Sequence, residues 1–134
     1  MRDLPTPPDA ATAMVVAADT VRWNDGDSGE IDGEGFRLAD VDAPETGPIG
    51  SIGGAVCAAE RARGRDAADY MRSLTRQGSV EVAVTGPPDR YGRRVVTIRV
   101  PVGDVAALGL AAGHLRRWLH KQGRALSLKP DWCK

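Results

Sequence analysis

The chain has 134 residues, with 18 acidic side chains against 18 lysines and arginines, so its formal net charge is zero. This length suffices for one closed core, and the charge balance argues against a protein held on nucleic acid by bulk charge alone, although it allows a local basic cleft. The longest apolar-leaning run, residues 10–18, is too short to cross a bilayer. Because aromatic residues are few, we expect a core of Val, Leu, Ile and Ala.

The N-terminal residues 1–11 contain three prolines and few large apolar side chains, which predicts a disordered arm. No charged region followed by a leucine-rich stretch is found there, so we expect no signal peptide.

Three strands are predicted next, at residues 13–23, 28–31 and 35–41, from their β-branched and apolar content. Asp-Gly pairs lie between them and favour tight turns. In the third strand, alternation places Phe36 on the buried face and Arg37 on the opposite one. The glycine-rich residues 46–55 predict a mobile loop.

The second half of the chain predicts a helix at 56–74, strands at 79–84 and 94–100, and a short helix at 105–112 capped by Asp104. Beyond these elements, little regular structure is expected. Glu60 lies on the apolar stripe of the first helix, which is unusual for a carboxylate and leaves pairing with an arginine as one option.

Five short strands with a helix between the third and fourth have the connectivity of an OB-fold barrel, within the mostly β, α+β class; an open α+β sheet stays an alternative. We expect one domain at residues 12–120, a C-terminal tail at 121–134, and a monomer.

Two acidic turns, DGDS at 25–28 and DAPE at 42–45, together contain four carboxylates, and Arg37 lies between them. The short stretch at 89–93 supplies another arginine, Arg93. Hydrolysis of a phosphodiester requires that the charge on the phosphate oxygens is neutralised and that a water is activated. A metal ion held by carboxylates, together with arginines, can neutralise the charge, and a further carboxylate can activate the water. Acidic turns are nevertheless common, and spacing alone favours a purely structural interpretation.

The two cysteines, Cys57 and Cys133, are compatible with free thiols or with a disulfide, and these alternatives carry equal weight. A bridge would fasten the tail to the start of a helix and imply an oxidising compartment, whereas free thiols leave a cytoplasmic location open. Neither cysteine has ligand spacing with His114 or His120, so no zinc site is expected.

Four segments resemble the staphylococcal nuclease (thermonuclease) family: DGDS at 25–28, RLADVDAPE at 37–45, DRYGR at 89–93 and DVAALGLAAG at 104–113. The resemblance covers residues 13–113. It implies an OB-fold barrel with flanking helices and an endo- or exonuclease. Such an enzyme requires calcium and cleaves DNA and RNA at the 5′-oxygen, leaving 3′-phosphates.

The resemblance also assigns a metal site. Asp27 and Asp42 match the calcium-binding aspartates, Asp25 matches an acid that helps to hold calcium-bound water, and the backbone carbonyl of Ala43 matches a further ligand. The best-known member has threonine at the positions of Ser28 and Ala43. A main-chain ligand makes alanine sufficient at the second position.

Further roles follow from the same resemblance. Glu45 matches the proposed general base, and Arg37 and Arg93 match the phosphate-binding arginines. Tyr91 matches a tyrosine that bonds a terminal phosphate. Trp118 is the nearest candidate for stacking on a base, with plain packing as an equal alternative.

The ending Trp-Cys, together with a cysteine at the start of the first long helix, resembles some bacterial members and favours a Cys57–Cys133 disulfide. Two other functions stay open: a catalytically weak or inactive module that binds nucleic acid or protein, and a metal-stabilised structural domain. Retention of Asp27, Asp42 and Glu45 favours the enzyme over the binding module. A structural domain would leave the two arginines without a purpose.

Overall fold

The computed structural model describes residues 13–134, so the predicted N-terminal arm at 1–11 lies outside the described residues. The first half of this region contains five strands and one long helix: β1 (Met14–Ala17), β2 (Val21–Asp25), β3 (Ser28–Ile31), β4 (Glu34–Leu38), β5 (Val41–Asp42) and α1 (Ala58–Leu74). The second half contains six strands and one short helix: β6 (Ser79–Val84), β7 (Arg94–Val100), β8 (Gly103–Asp104), α2 (Val105–Ala111), β9 (Arg116–Arg117), β10 (His120–Lys121) and β11 (Arg124–Ala125).

The main sheet closes on itself. Its strand order is β1-β6-β7-β4-β3-β2, with β8 added beside β7, and β4 and β7 pair in parallel. The two end strands, β1 and β2, are consecutive in the chain and joined by one 3-10 turn, Ala18–Thr20. One bent strand therefore serves both ends of the sheet, which is how a five-stranded OB-fold barrel closes, and the predicted fold is confirmed.

The predicted continuous strand at 13–23 is wrong in one respect, because the 3-10 turn divides it. Within this turn Ala18 is buried, and the hydroxyl of Thr20 donates to the carbonyl of Ala17 at 2.7 Å. The break lets the chain change direction at a barrel corner while both halves keep their sheet partners.

The third predicted strand also ends early, at Leu38 rather than Val41. Asp40 adopts a φ of 60°, which turns the chain, and Val41–Asp42 then pairs with Arg116–Arg117 instead of continuing along the main sheet. The tail thus contains β9 and a β10–β11 ladder, although little regular structure was expected there. This turn carries Asp42 out of the barrel wall.

The barrel core consists mainly of aliphatic side chains, as composition predicted, with one aromatic pair. Trp23 meets Phe36 edge to face at 5.1 Å between ring centroids, and its indole N–H donates to the Thr75 hydroxyl at 3.0 Å. Thr75 follows α1 directly, so this bond fixes the end of the helix against the barrel. The helix begins at Ala58, two residues later than predicted, with Cys57 as its N-cap.

A disulfide joins Cys57 to Cys133, which supports the pairing that the family resemblance favoured. It closes a sequence separation of 76 residues, for which chain-entropy arguments give a stabilisation of roughly 4 kcal/mol. None of the helices in residues 13–134 is long and apolar enough to cross a membrane.

Candidate functional site

The predicted acids come together where two turns meet beside α1. The amide of Ala43 donates to Asp27 Oδ2 at 3.0 Å, and the amide and hydroxyl of Thr46 donate to Asp25 Oδ1 at 3.1 and 2.6 Å. These bonds tie the turn between β2 and β3 to the segment after β5. That segment, residues 43–46, is called the acid loop below.

Glycines allow both turns to approach α1 at backbone distance. A Cβ on Gly26 would lie 2.8 Å from the Cβ of Ala67, and a Cβ on Gly64 would lie 2.6 Å from the carbonyl oxygen of Glu45. Real Cβ atoms do not come this close to their neighbours, so larger residues at 26 or 64 would push the turns away from the helix. The helix therefore serves as the platform on which the acid loop is placed.

Contacts with the acid loop and with the start of α1 account for the buried carboxylate of Glu60. It is only 3% exposed, and its two carboxylate oxygens accept from the amides of Glu45 at 3.0 Å and Val56 at 2.8 Å. The carboxylate on the apolar stripe thus holds backbone amides, and no arginine among residues 13–134 pairs with it. The sequence did not predict this role, although a carboxylate on the apolar stripe of a helix indicated that Glu60 was unusual.

Asp42 receives two donors from the C-terminal tail. The indole N–H of Trp132 donates to Asp42 Oδ2 at 2.8 Å, and the Lys129 ammonium lies 3.0 Å from the same oxygen. Asp42 is 2% exposed and Trp132 is 3% exposed. Neither tail residue was predicted for this place, because their distance in sequence gives no signal of the contact.

Three buried oxygens in the cluster accept no hydrogen bond from the described residues: Asp27 Oδ1, Asp42 Oδ1 and the Ala43 carbonyl. Buried oxygens ordinarily have a partner, so these three are available to a ligand. Among residues 13–134, no three side chains of His, Cys, Asp or Glu are grouped so as to hold a metal ion. A site made of two carboxylates and one backbone carbonyl contains only two such side chains.

Negative charge is in excess in the cluster. Burial and then the nearby charge of Asp42 raise the pKa of Asp27 to about 6, with Arg37 opposing the shift. Burial, followed by the charges of Asp25 and Asp27, raises the pKa of Glu45 to about 8, with Lys129 opposing it. The cluster therefore favours the uptake of protons or of another cation.

Arg37 lies directly beside the acids. It faces Ser28 in the β3–β4 register, and its guanidinium donates to the carbonyl of Val41 at 2.9 Å. The same guanidinium lies 5.6 Å from the ring centroid of Trp118, whose indole N–H donates to the Ser127 carbonyl at 3.0 Å. Trp118 thus lies at the rim of the cluster, held at one edge and half-buried.

Arg93 belongs to a different loop. Asp89 accepts from its backbone amide at 2.9 Å and from its Nε at 2.8 Å. Burial alone would raise the pKa of Asp89, but these hydrogen bonds and the charge of Arg93 prevail, and the pKa is lowered. Asp89 also accepts from the amide of Tyr91. Tyr91 is 68% exposed, and its ring centroid lies 5.4 Å from the Arg93 guanidinium.

The side chains of Arg37 and Arg93 lie on the same side of β4. A Cβ on Gly35 would lie 3.2 Å from Cγ of Arg93, and side chains at 35 and 37 point to the same side of the strand. Within the described residues no hydrogen bond or ion pair joins Arg93 to the acids. Arg93 is thus placed on the side of β4 that carries Arg37 and is held there by Asp89.

The sequence profile of the family described as Staphylococcal nuclease homologue matches residues 35–129. The matched range includes Arg37, Asp42, Glu45 and Arg93, and it begins after Asp27. No curated protein matches the chain. The profile covers well over half of the 134 residues, and the chain therefore belongs to the staphylococcal nuclease homologue family.

Proposed function

We propose that this protein is a calcium-dependent phosphodiesterase that cleaves DNA, RNA or both at the 5′-oxygen and leaves 3′-phosphates. Membership in the family supports a nuclease acting on nucleic acid. The observation that carries the proposal is the group of three buried oxygens beside the Arg37 guanidinium that accept no hydrogen bond from residues 13–134. Contacts directed at the phosphate backbone would make cleavage independent of sequence.

These three oxygens suit calcium, which prefers hard oxygen ligands and accepts irregular coordination. Asp27, Asp42 and the Ala43 carbonyl would hold the ion, and Asp25 would bind a water on it. Bound calcium would supply positive charge against the non-bridging oxygens of the scissile phosphate. The raised pKa values of Asp27 and Glu45 support this assignment, since they reflect negative charge that a cation would offset.

Glu45 is the proposed general base. Its backbone is fixed by Glu60 while its side chain is only half-buried, so the carboxylate can reach a water. A base must be deprotonated, and a pKa of about 8 leaves Glu45 largely protonated at neutral pH. Positive charge among the neighbouring acids lowers this pKa, which would make the base active only in the loaded site.

Arg37 and Arg93 would bind the phosphate from two sides, because a planar guanidinium offers two parallel donors to phosphate oxygens and stays charged. The Tyr91 hydroxyl would bond a terminal phosphate, and the Trp118 ring would stack on a base.

The Cys57–Cys133 disulfide fits an oxidising compartment, and we expect the protein to act as a monomer.

A plasmid-nicking assay tests the proposal. Cleavage is expected with calcium, none with EDTA, and recovery after calcium is restored, with 3′-phosphate ends on the products. Arg93→Ala should lower the rate about 100-fold or more, as expected for loss of a donor to developing charge. Arg99→Ala, an exposed change on β7, is the matched control.

The binding-module alternative predicts a different result: retention of oligonucleotides in a gel-shift assay with no cleavage at any calcium concentration. That outcome, or full activity in Arg93→Ala, would contradict the proposed function.

A further inference from the structure

The C-terminal tail places a cation inside the acid cluster. Lys129 Nζ lies 3.0 Å from Asp42 Oδ2, and its charge acts on Glu45 and Asp27 as well. The Lys129 side chain is 43% exposed, whereas that of Asp42 is 2% exposed. The ammonium therefore enters from the solvent side and meets a carboxylate that is otherwise buried.

The tail is fastened directly after this contact. Cys133, four residues after Lys129, is bonded to Cys57 at the start of α1. The Arg63 guanidinium donates to the Trp132 carbonyl at 3.2 Å, and the Arg116 guanidinium lies 4.0 Å above the Trp132 ring. The backbone next to Lys129 is thus anchored to the helix that carries the acid loop.

We propose that Lys129 is a tethered counter-cation that competes with the divalent ion for the acid cluster, and that the Cys57–Cys133 disulfide keeps it there. The identity of the competing ion as calcium rests on the proposed function above. Asp42 is the shared carboxylate, and two cations close to one carboxylate repel each other.

This arrangement has opposite effects on the two states of the protein. Without a divalent ion, the Lys129 ammonium offsets repulsion between Asp42 and its acidic neighbours and stabilises the fold. With the ion bound, the same ammonium lies close to a second positive charge and weakens binding. Lys129 would therefore set the calcium concentration at which the site fills.

Calorimetric titration of calcium at pH 8.5 tests the inference. Lys129→Gln should bind calcium about tenfold more tightly than the native chain, since the repelling charge is gone. Its melting temperature in EDTA should be lower than that of the native protein, which also reports that the variant folds. Lys129→Arg should behave as the native chain, and Lys121→Gln, an exposed lysine on β10, controls for net charge.

The tether is tested in a second background, Cys57→Ser with Cys133→Ser. Serine is a good helix N-cap, so the start of α1 should be preserved at position 57. Without the bridge, Lys129 is held less firmly, and the effect of Lys129→Gln on calcium affinity should fall to less than half. An unchanged effect would overturn the role of the disulfide.

The outcomes separate the two proposals. If the native chain binds calcium and Lys129→Gln binds it equally or more weakly, the counter-cation is overturned while the proposed function stands. If Lys129→Gln alone binds calcium, the competition is supported, and the native protein is not the calcium enzyme proposed. If neither binds calcium, both proposals fail.

Discussion

The acid loop and the loop that carries Arg93 are held in different ways. The amides of Ala43, Glu45 and Thr46 each donate to a carboxylate on another element, and α1 lies against the loop backbone. The loop at 89–93 is instead held by its own Asp89 and is largely exposed. One half of the candidate site is therefore preorganised by the core, and the other half is built locally.

This contrast predicts that the two halves respond differently to mutation. Changes near the acid loop should act through the helix platform and affect folding and calcium binding together. Changes in the 89–93 loop should lower activity while leaving stability and calcium affinity almost unaltered.

Glu45→Gln should have the largest effect. Removing a general base typically lowers the rate by about 100- to 10,000-fold, and glutamine keeps the size of the side chain. Steady-state cleavage of a labelled oligonucleotide measures this, with Glu81→Gln on an exposed position of β6 as control. A loss below tenfold would remove Glu45 from the proposed role.

Gly64→Ala should lower activity by about 100-fold, since the added Cβ would displace the Glu45 carbonyl and misplace the acid loop. Calcium affinity should fall as well, because Ala43 belongs to the same loop. Gly86→Ala, where a Cβ meets open space, is the control. A normal calcium affinity in Gly64→Ala would mean that the helix is not the platform of the site.

Asp89→Ala should lower activity by about tenfold, because Arg93 loses the carboxylate that orients its guanidinium. Calcium affinity and melting temperature should stay close to native values. Asp69→Ala, which removes an exposed ion pair with Arg72 on α1, is the matched control. A large drop in calcium affinity would show that the two halves are coupled, and it would contradict the independence of the 89–93 loop from the acid loop.

A separate effect should appear in stability as a function of pH. The folded-state pKa values of Asp27, about 6, and Glu45, about 8, lie above their usual 3.8 and 4.5, so the folded chain holds protons that the unfolded chain releases. Stability without calcium should therefore rise as pH falls from about 8 towards 5 and be lost as pH rises again.

Thermal melts in EDTA between pH 5 and 9 measure this dependence. Glu45→Gln should remove the part between pH 8 and 6, where Asp27 is still ionised. A melting temperature that increases with pH across this range would contradict the charge excess in the cluster.

Local pattern was enough to predict most of the barrel. The alternation in 79–84 and 94–100 gave both strands with their observed bounds, because one face of each is buried. The bend at Ala18–Thr20 was missed, since closure of a barrel is a property of the whole sheet. The turn at Asp40 was missed because a positive φ in an aspartate depends on the later pairing of β5 with β9.

The candidate site was predicted less completely. Motif order indicated the acids and arginines, and the structure brings the acids and Arg37 together. The contacts of Lys129 and Trp132 with Asp42 span 87 and 90 residues, respectively, and no periodicity reveals such contacts. Glu60 did leave a signal in the sequence, but its partners are backbone amides, which a pattern of side chains does not show.

The central claim is that both halves meet around one cation and one phosphate. A crystal structure with calcium and a short phosphorothioate oligonucleotide tests it most directly. We predict one calcium ion about 2.3–2.6 Å from oxygens of Asp27, Asp42 and Ala43, with the phosphate between the guanidinium groups of Arg37 and Arg93. Calcium bound elsewhere, or a phosphate out of reach of Arg93, would contradict the account.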